Sequence, residues 1–127
     1  MARLLLVEDE APLRELLARY LARLGHSVDS AALAEQAWGL FDEAPEGFDL
    51  VIVDLTLPDL SGEQLLRRMI RRRPQVRILV SSGAPFSVSL LPLADPRQAA
   101  FLQKPFLPQM LASAVDNLLG GASRKIQ

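Results

Sequence analysis

Apolar residues follow two rhythms along the chain. Short, dense apolar or alternating runs at residues 4–7, 27–31, 50–53, 76–80 and 99–103 read as five strands. The run Leu50, Val51, Ile52, Val53 is unbroken and rich in β-branched residues, as expected of a central strand covered on both faces. Between these runs apolar residues recur three and four apart. Leu13, Leu16, Leu17, Tyr20, Leu21 and Leu24 define a first helix, opened by Pro12 and stopped by Gly25. A second helix spans residues 33–43 with Ala37, Trp38 and Phe41 inward, and a third carries Leu65, Leu66, Met69 and Ile70 and stops before Pro74. Pro108 opens the last, whose inward stripe is Leu107, Met110, Leu111, Ala114, Val115, Leu118 and Leu119, ended by Gly120 and Gly121. Residues 85–97 include Pro92 and Pro96 and sustain no helical period, so the helix expected there is short or irregular.

Strands and helices that alternate with short connections make a doubly wound, five-stranded parallel α/β sheet with helices on both faces. The flavodoxin-like order 2-1-3-4-5 is the leading topology, and its switch point lies between strands one and three. Residues 1–120 form one domain on this reading, and 121–127 a flexible C-terminal tail. The topology gathers Glu8, Asp9 and Asp54 at the carboxyl edge of the sheet, where Ser82 and Lys104 close strands four and five.

Half of the 127 residues are hydrophobic, which excludes a disordered chain, and no apolar run reaches the roughly 20 residues of a membrane span. A cytoplasmic protein is expected. The absence of cysteine removes disulfides, thiolate metal sites and cysteine nucleophiles. A net charge of −1 gives no global attraction for nucleic acid. The arginine run Arg67, Arg68, Arg71, Arg72, Arg73 has no interleaved aromatic residue and reads as a solvated helix face. His26 reads as a surface residue; lacking a second histidine, the chain has no zinc pattern.

The carboxylate Asp54 at the end of an apolar strand needs a compensating partner. Alone, the Glu8, Asp9, Glu10 cluster would serve equally well to complement a helix dipole. With Asp54 beside it, an oxygen-only site suits Mg²⁺, which takes one or two carboxylates and completes its shell with water and phosphate oxygens. Lys104 supplies a point charge for a phosphate oxygen, and Asp54 then qualifies as an oxygen nucleophile able to form an aspartyl phosphate.

These residues, in LLLVEDE, VIVDLTLPDLSG, ILVSSG and FLQKPF, resemble the receiver domain of bacterial two-component response regulators, over nearly all of residues 3–119. The resemblance implies a phosphoacceptor that catalyses its own phosphorylation and dephosphorylation without turnover on a separate substrate. Asp54 would take the phosphoryl group from a sensor histidine kinase or a histidine phosphotransfer protein. Glu8, Asp9, Asp54 and the Thr56 main-chain carbonyl would hold Mg²⁺, with Glu8 acting mainly through water. Ser82 would bind the phosphoryl oxygen, Lys104 would hold the group, and Ser82 and Phe101 would switch together. The Lys104–Pro105 bond would be cis.

Two other readings share the architecture. A nucleotide- or flavin-binding domain would need a glycine-rich loop after strand one, where VEDEAP stands instead. A phosphatase of the haloacid dehalogenase type would place an acid two residues after its nucleophile, where this chain has Thr56. A degenerate receiver serving only for docking is disfavoured by the complete residue set. SSGAP and FLQKPF look more like receivers attached to hybrid histidine kinases than like those of transcription factors. The outer positions of the last helix, Gln109, Ala112, Ser113, Asp116 and Asn117, carry one charge, so a downstream partner protein is expected there rather than a charged dimer seam.

Overall fold

The computed structural model describes residues 2–120; the expected tail at 121–127 lies outside them. Five strands, β1 (Arg3–Val7), β2 (Ser27–Ala31), β3 (Leu50–Asp54), β4 (Ile78–Ser82) and β5 (Ala99–Gln103), form one sheet in the order β2-β1-β3-β4-β5. All four pairings are parallel. Four helices connect and cover it: α1 (Ala11–Arg23), α2 (Ala34–Glu43), α3 (Gly62–Arg72) and α4 (Pro108–Leu118). Among the described residues no helix is long and apolar enough to cross a membrane.

Strand side chains alternate between two cores. Leu5, Val7, Val51, Val53, Ile78 and Val80 pack with Phe41 of α2 and Leu66 and Met69 of α3. Leu4, Leu6, Leu50, Ile52 and Leu79 pack with Leu17 and Leu21 of α1 and Leu111 and Val115 of α4. Each fully buried Leu, Ile or Val contributes about 1.5–3 kcal/mol, so the central strands are held from both sides.

β4 begins two residues later than the apolar run suggests, because residues 73–76 close a turn in which the Val76 amide donates to the Arg73 carbonyl at 3.0 Å. Buried Gln98 ties that turn down, donating from Nε2 to the carbonyls of Pro74 at 2.9 Å and Val76 at 2.7 Å. The irregular segment before β5 holds two short 3-10 turns, Val88–Leu90 and Pro96–Gln98, in place of a regular helix. The expected inward stripe of α4 is too long at its start. Leu107 and Met110 are 63% and 47% exposed, because that end of the helix rises from the carboxyl edge, where the sheet stops.

The arginine run is not simply solvated. Arg67 pairs with Glu63 at 2.9 Å and donates to the Leu90 carbonyl at 2.9 Å. Arg68 stacks over Trp38 at 4.1 Å and meets Glu35, while Arg72 pairs with Asp42 and Arg73 with Glu46. α3 is therefore laced to α2, and Trp38 serves as packing. His26 is half-buried, with Nδ1 accepting from the Ala2 amide at 3.3 Å. Burial holds its imidazole below the ordinary histidine value.

The connection after β3 is fixed at several points. The Leu55 amide donates to the Ser81 carbonyl at 3.0 Å, and the Gly62 amide to the Leu55 carbonyl at 2.9 Å. Ser61 and Gln64 form a reciprocal capping box at the start of α3. Asp59 leaves the connection to cap α2, its Oδ1 accepting from the Ala34 amide at 2.9 Å and its Oδ2 from the Glu35 amide at 3.0 Å. Gly62 lies so close to β3 that a Cβ would stand 2.4 Å from the Asp54 carbonyl oxygen. Gly62→Ala is expected to cost about 1–3 kcal/mol in urea unfolding, since a backbone atom cannot give way as a side chain would.

Candidate functional site

The carboxyl edge of β1 and β3 carries three acids. Glu8 follows β1 directly, its amide bonded to the Ala31 carbonyl at 3.0 Å, and its side chain is 3% exposed. Asp54 closes β3 at 5% exposure, and Asp9 reaches the surface. One carboxylate oxygen from each lies within 4.8 Å of the others. Lys104, just past β5, bridges two of them: Nζ stands 2.7 Å from Glu8 Oε1 and 3.1 Å from Asp54 Oδ2. Its own amide donates to the Ser82 carbonyl at 2.8 Å, and the following Lys104–Pro105 bond is cis. The Thr56 amide donates to Asp54 Oδ1 at 3.1 Å, so both oxygens of Asp54 are held.

Electrostatics follow from this packing. Burial raises the Glu8 carboxyl above its ordinary value, the Asp54 charge adds to the effect, and hydrogen bonds from Lys104 and the Glu10 amide oppose it. Burial would lower the Lys104 ammonium, but its bonds to Glu8 and Asp54 outweigh that and hold it above the ordinary lysine value. The donor set is oxygen only and partly open to solvent through Asp9, a set that fits Mg²⁺ and suits softer metals poorly.

The two serines of β4 divide between the faces of the sheet. Ser81 is the cross-strand partner of Asp54 and shares the parity of Leu79, Ile52 and Asp54 on the α1–α4 side. Its Oγ is buried and has no hydrogen-bond partner among the described residues. Ser82 has the parity of Ile78 and Val80 on the opposite side, and its Oγ accepts from the Ala84 amide at 3.1 Å. The register sets Ser81 opposite Asp54, while Ser82 ends β4 one position later, beside Lys104, whose amide its carbonyl accepts, and on the same side as Phe101. Phe101 lies on the Ser82 side, half-buried, with its ring 6.5 Å from that of Phe86.

Arg14, one turn into α1, was not indicated by any motif. Its Nη1 donates to the Glu8 carbonyl at 2.9 Å and lies 3.4 Å from that of Asp9, bracing the backbone of the acidic pair. Beside Lys104 opens a groove of about 410 Å³ lined by Glu10, Leu13, Gly83, Pro105 and Phe106.

Comparison with known proteins gives a consistent result. The response regulator receiver domain model matches residues 4–116. The chain is 32% identical over 120 residues to the response regulator receiver protein CpdR of Brucella abortus, covering 94% of this chain and 98% of that protein. It is 33% identical to the DNA-binding transcriptional regulator NtrC of Azospirillum brasilense, covering 93% of this chain but 24% of that protein. Against the sensor kinase CckA of Brucella abortus it is 31% identical, over 93% of this chain and 12% of the kinase. Among solved structures, the receiver domain of the hybrid histidine kinase CckA superposes with a TM-score of 0.78 at 30% identity, covering 92% of this chain and 98% of that one. The response regulator protein TrrA of Thermotoga maritima, in complex with Mg²⁺ and BeF, superposes with a TM-score of 0.77 at 26% identity, covering 93% and 99%.

Proposed function

Because the chain belongs to the response regulator receiver domain family, we propose that Asp54 is its phosphoacceptor and takes a phosphoryl group from a phosphohistidine on a sensor histidine kinase or histidine phosphotransfer protein. The observation that carries this reading is the joint hold of Lys104 on Glu8 and Asp54 at the sheet edge. An Asp54 oxygen forms a bond to phosphorus as the phosphorus–nitrogen bond breaks, and the departing imidazole keeps the electron pair and takes a proton from solvent. The groove beside Lys104, lined by Leu13 and Phe106, would receive the partner's surface around the incoming histidine.

Glu8, Asp9 and Asp54, with the Thr56 main-chain carbonyl, would hold Mg²⁺. Bound there, the ion would neutralise phosphoryl oxygens as they approach three carboxylates. Lys104 already stands 3.1 Å from Asp54 Oδ2, where the new charge of about −1.5 to −2 arrives. Ser82, at the end of β4, would then donate to a phosphoryl oxygen and draw the strand end toward the site. Movement of the strand end reaches Phe101 across the β4–β5 pairing. The same reading places the protein in the cytoplasm and passes the signal to a protein partner.

Incubation with a small acyl phosphate and Mg²⁺, followed by intact mass measurement, is expected to show one added phosphoryl group. Absence of uptake would leave a docking module, and repeated turnover on phosphate esters would make it a phosphatase. Ser82→Ala is expected to weaken the response of Phe101 to a phosphoryl mimic about tenfold, as loss of a bond to a charged group does. Ser81→Ala should change that response little, by nuclear magnetic resonance of the Phe101 ring.

A further inference from the structure

α2 lacks a cap of its own. The residue before it is Leu33, whose side chain accepts nothing, so the first amides of the helix would have no partner from their own segment. Asp59 supplies both acceptors from a distant part of the chain, at 2.9 Å to Ala34 and 3.0 Å to Glu35. It sits in the middle of the connection between Asp54 and α3. That connection is fixed at its start by Leu55 on Ser81 and at its end by Gly62 against β3; between them Leu57 and Leu60 pack on the core, and Asp59 provides the hydrogen bonds that tie the centre to α2. Within the same connection the Thr56 amide holds Asp54 Oδ1 at 3.1 Å.

We propose that Asp59 is a positioning residue for the acidic pocket, anchoring the connection on α2 so that Thr56 stays on Asp54 and its carbonyl stays available to a cation. The part concerning the cation rests on the reading of Asp54 as a Mg²⁺-assisted phosphoacceptor. Supporting groups behind metal ligands typically change metal affinity 10–100-fold when removed, which sets the expected size of the effect. Asp59's carboxyl is held below the ordinary aspartate value, chiefly by the bond from the Ala34 amide and next by that from Glu35, as a cap engaged through both oxygens requires.

The test has two readouts on wild type, Asp59→Ala, Asp59→Asn and Gln36→Ala. Gln36 Oε1 accepts from the Ala32 amide, so its loss loosens the same helix start without touching the connection. In metal-free protein, amide exchange at Thr56 is expected to speed up at least tenfold in Asp59→Ala, less in Asp59→Asn, which keeps one acceptor oxygen, and not in Gln36→Ala. Mg²⁺ affinity by calorimetry should fall about tenfold in the same order. Unchanged Thr56 exchange in Asp59→Ala, or an equal change in Gln36→Ala, would overturn the proposal. Failure of wild type to bind Mg²⁺ would overturn the cation part and the function above, while Thr56 exchange would still decide whether Asp59 positions the connection.

Discussion

Asp54→Asn is expected to take up no phosphoryl group from an acyl phosphate under conditions that label wild type fully. The amide oxygen lacks the charge and lone-pair basicity to attack phosphorus, and no other carboxylate at the edge is set between Lys104 and the Thr56 amide as Asp54 is. The fold should tolerate the change. Asparagine still offers an oxygen to Thr56, Lys104 keeps its 2.7 Å bond to Glu8, and removal of the Asp54 charge relieves Glu8 of a repulsive neighbour. Stability is therefore expected to stay within about 1 kcal/mol of wild type. Mg²⁺ should raise the melting temperature of wild type by mass action and that of the mutant much less, because one of three carboxylates is gone. Equal shifts in both proteins would remove Asp54 from the cation site, and full phosphoryl uptake by the mutant would remove it from the chemistry.

Lys104→Ala should produce the largest stability loss of any single change in the pocket. It leaves Glu8 and Asp54, 3% and 5% exposed, facing each other without their cation. Breaking a fully buried pair costs about 3–5 kcal/mol; with the lysine side chain 21% exposed, about 2 kcal/mol is expected at neutral pH. The loss should depend on pH in a definite direction. An acid whose folded value is raised, as Glu8's is, binds protons more tightly when folded, so it costs stability as pH climbs from 4.5 through the raised value. Without Lys104 that value rises further, and the deficit should shrink as pH falls toward 4.5. Wild type should lose the contribution of the pair at both ends: in acid as Glu8 protonates through its raised value, and in alkali because Lys104's folded value is raised, so the lysine's part is complete below 10.5 and fades as pH passes through the higher value. Urea unfolding of both proteins across this range, with and without Mg²⁺, checks the prediction; a deficit that does not vary with pH would contradict it.

The β3 strand and Asp54 were legible because polarity changes abruptly from Val53 to Asp54, and that change survives any detail of packing. Strand order followed from the alternation of elements, so the meeting of Glu8, Asp9 and Asp54 followed too. The opposite faces taken by Ser81 and Ser82 were not legible, since they depend on which face a strand turns to its neighbour, and adjacent serines carry no signal for that. Lys104's hold on Glu8 was equally hidden: sequence placed the ammonium near incoming phosphate, whereas the fold already uses it to offset two buried charges. Arg14 and Asp59 act through backbone groups far from them in the chain, which no local pattern records. Leu107 and Met110 kept the helical period of a buried stripe where the sheet no longer extends to cover them.

The irregular stretch between β4 and β5 makes the protein's outer face a patchwork of small cooperative units. A regular helix melts as a ladder, so moving it means breaking several bonds together or shifting a rigid body. Residues 83–98 instead hold themselves with isolated amide bonds, Leu90 to Ser87, Leu91 to Val88, Leu93 to Leu91 and Gln98 to Asp95, and borrow one more from Arg67. Each can open at small free energy while β4 and β5 on either side wait for global unfolding. On the function proposed above, a change at the end of β4 would spread into this stretch by rearranging one turn at a time, and a partner protein would meet a surface that conforms to it locally rather than one that swings as a lever.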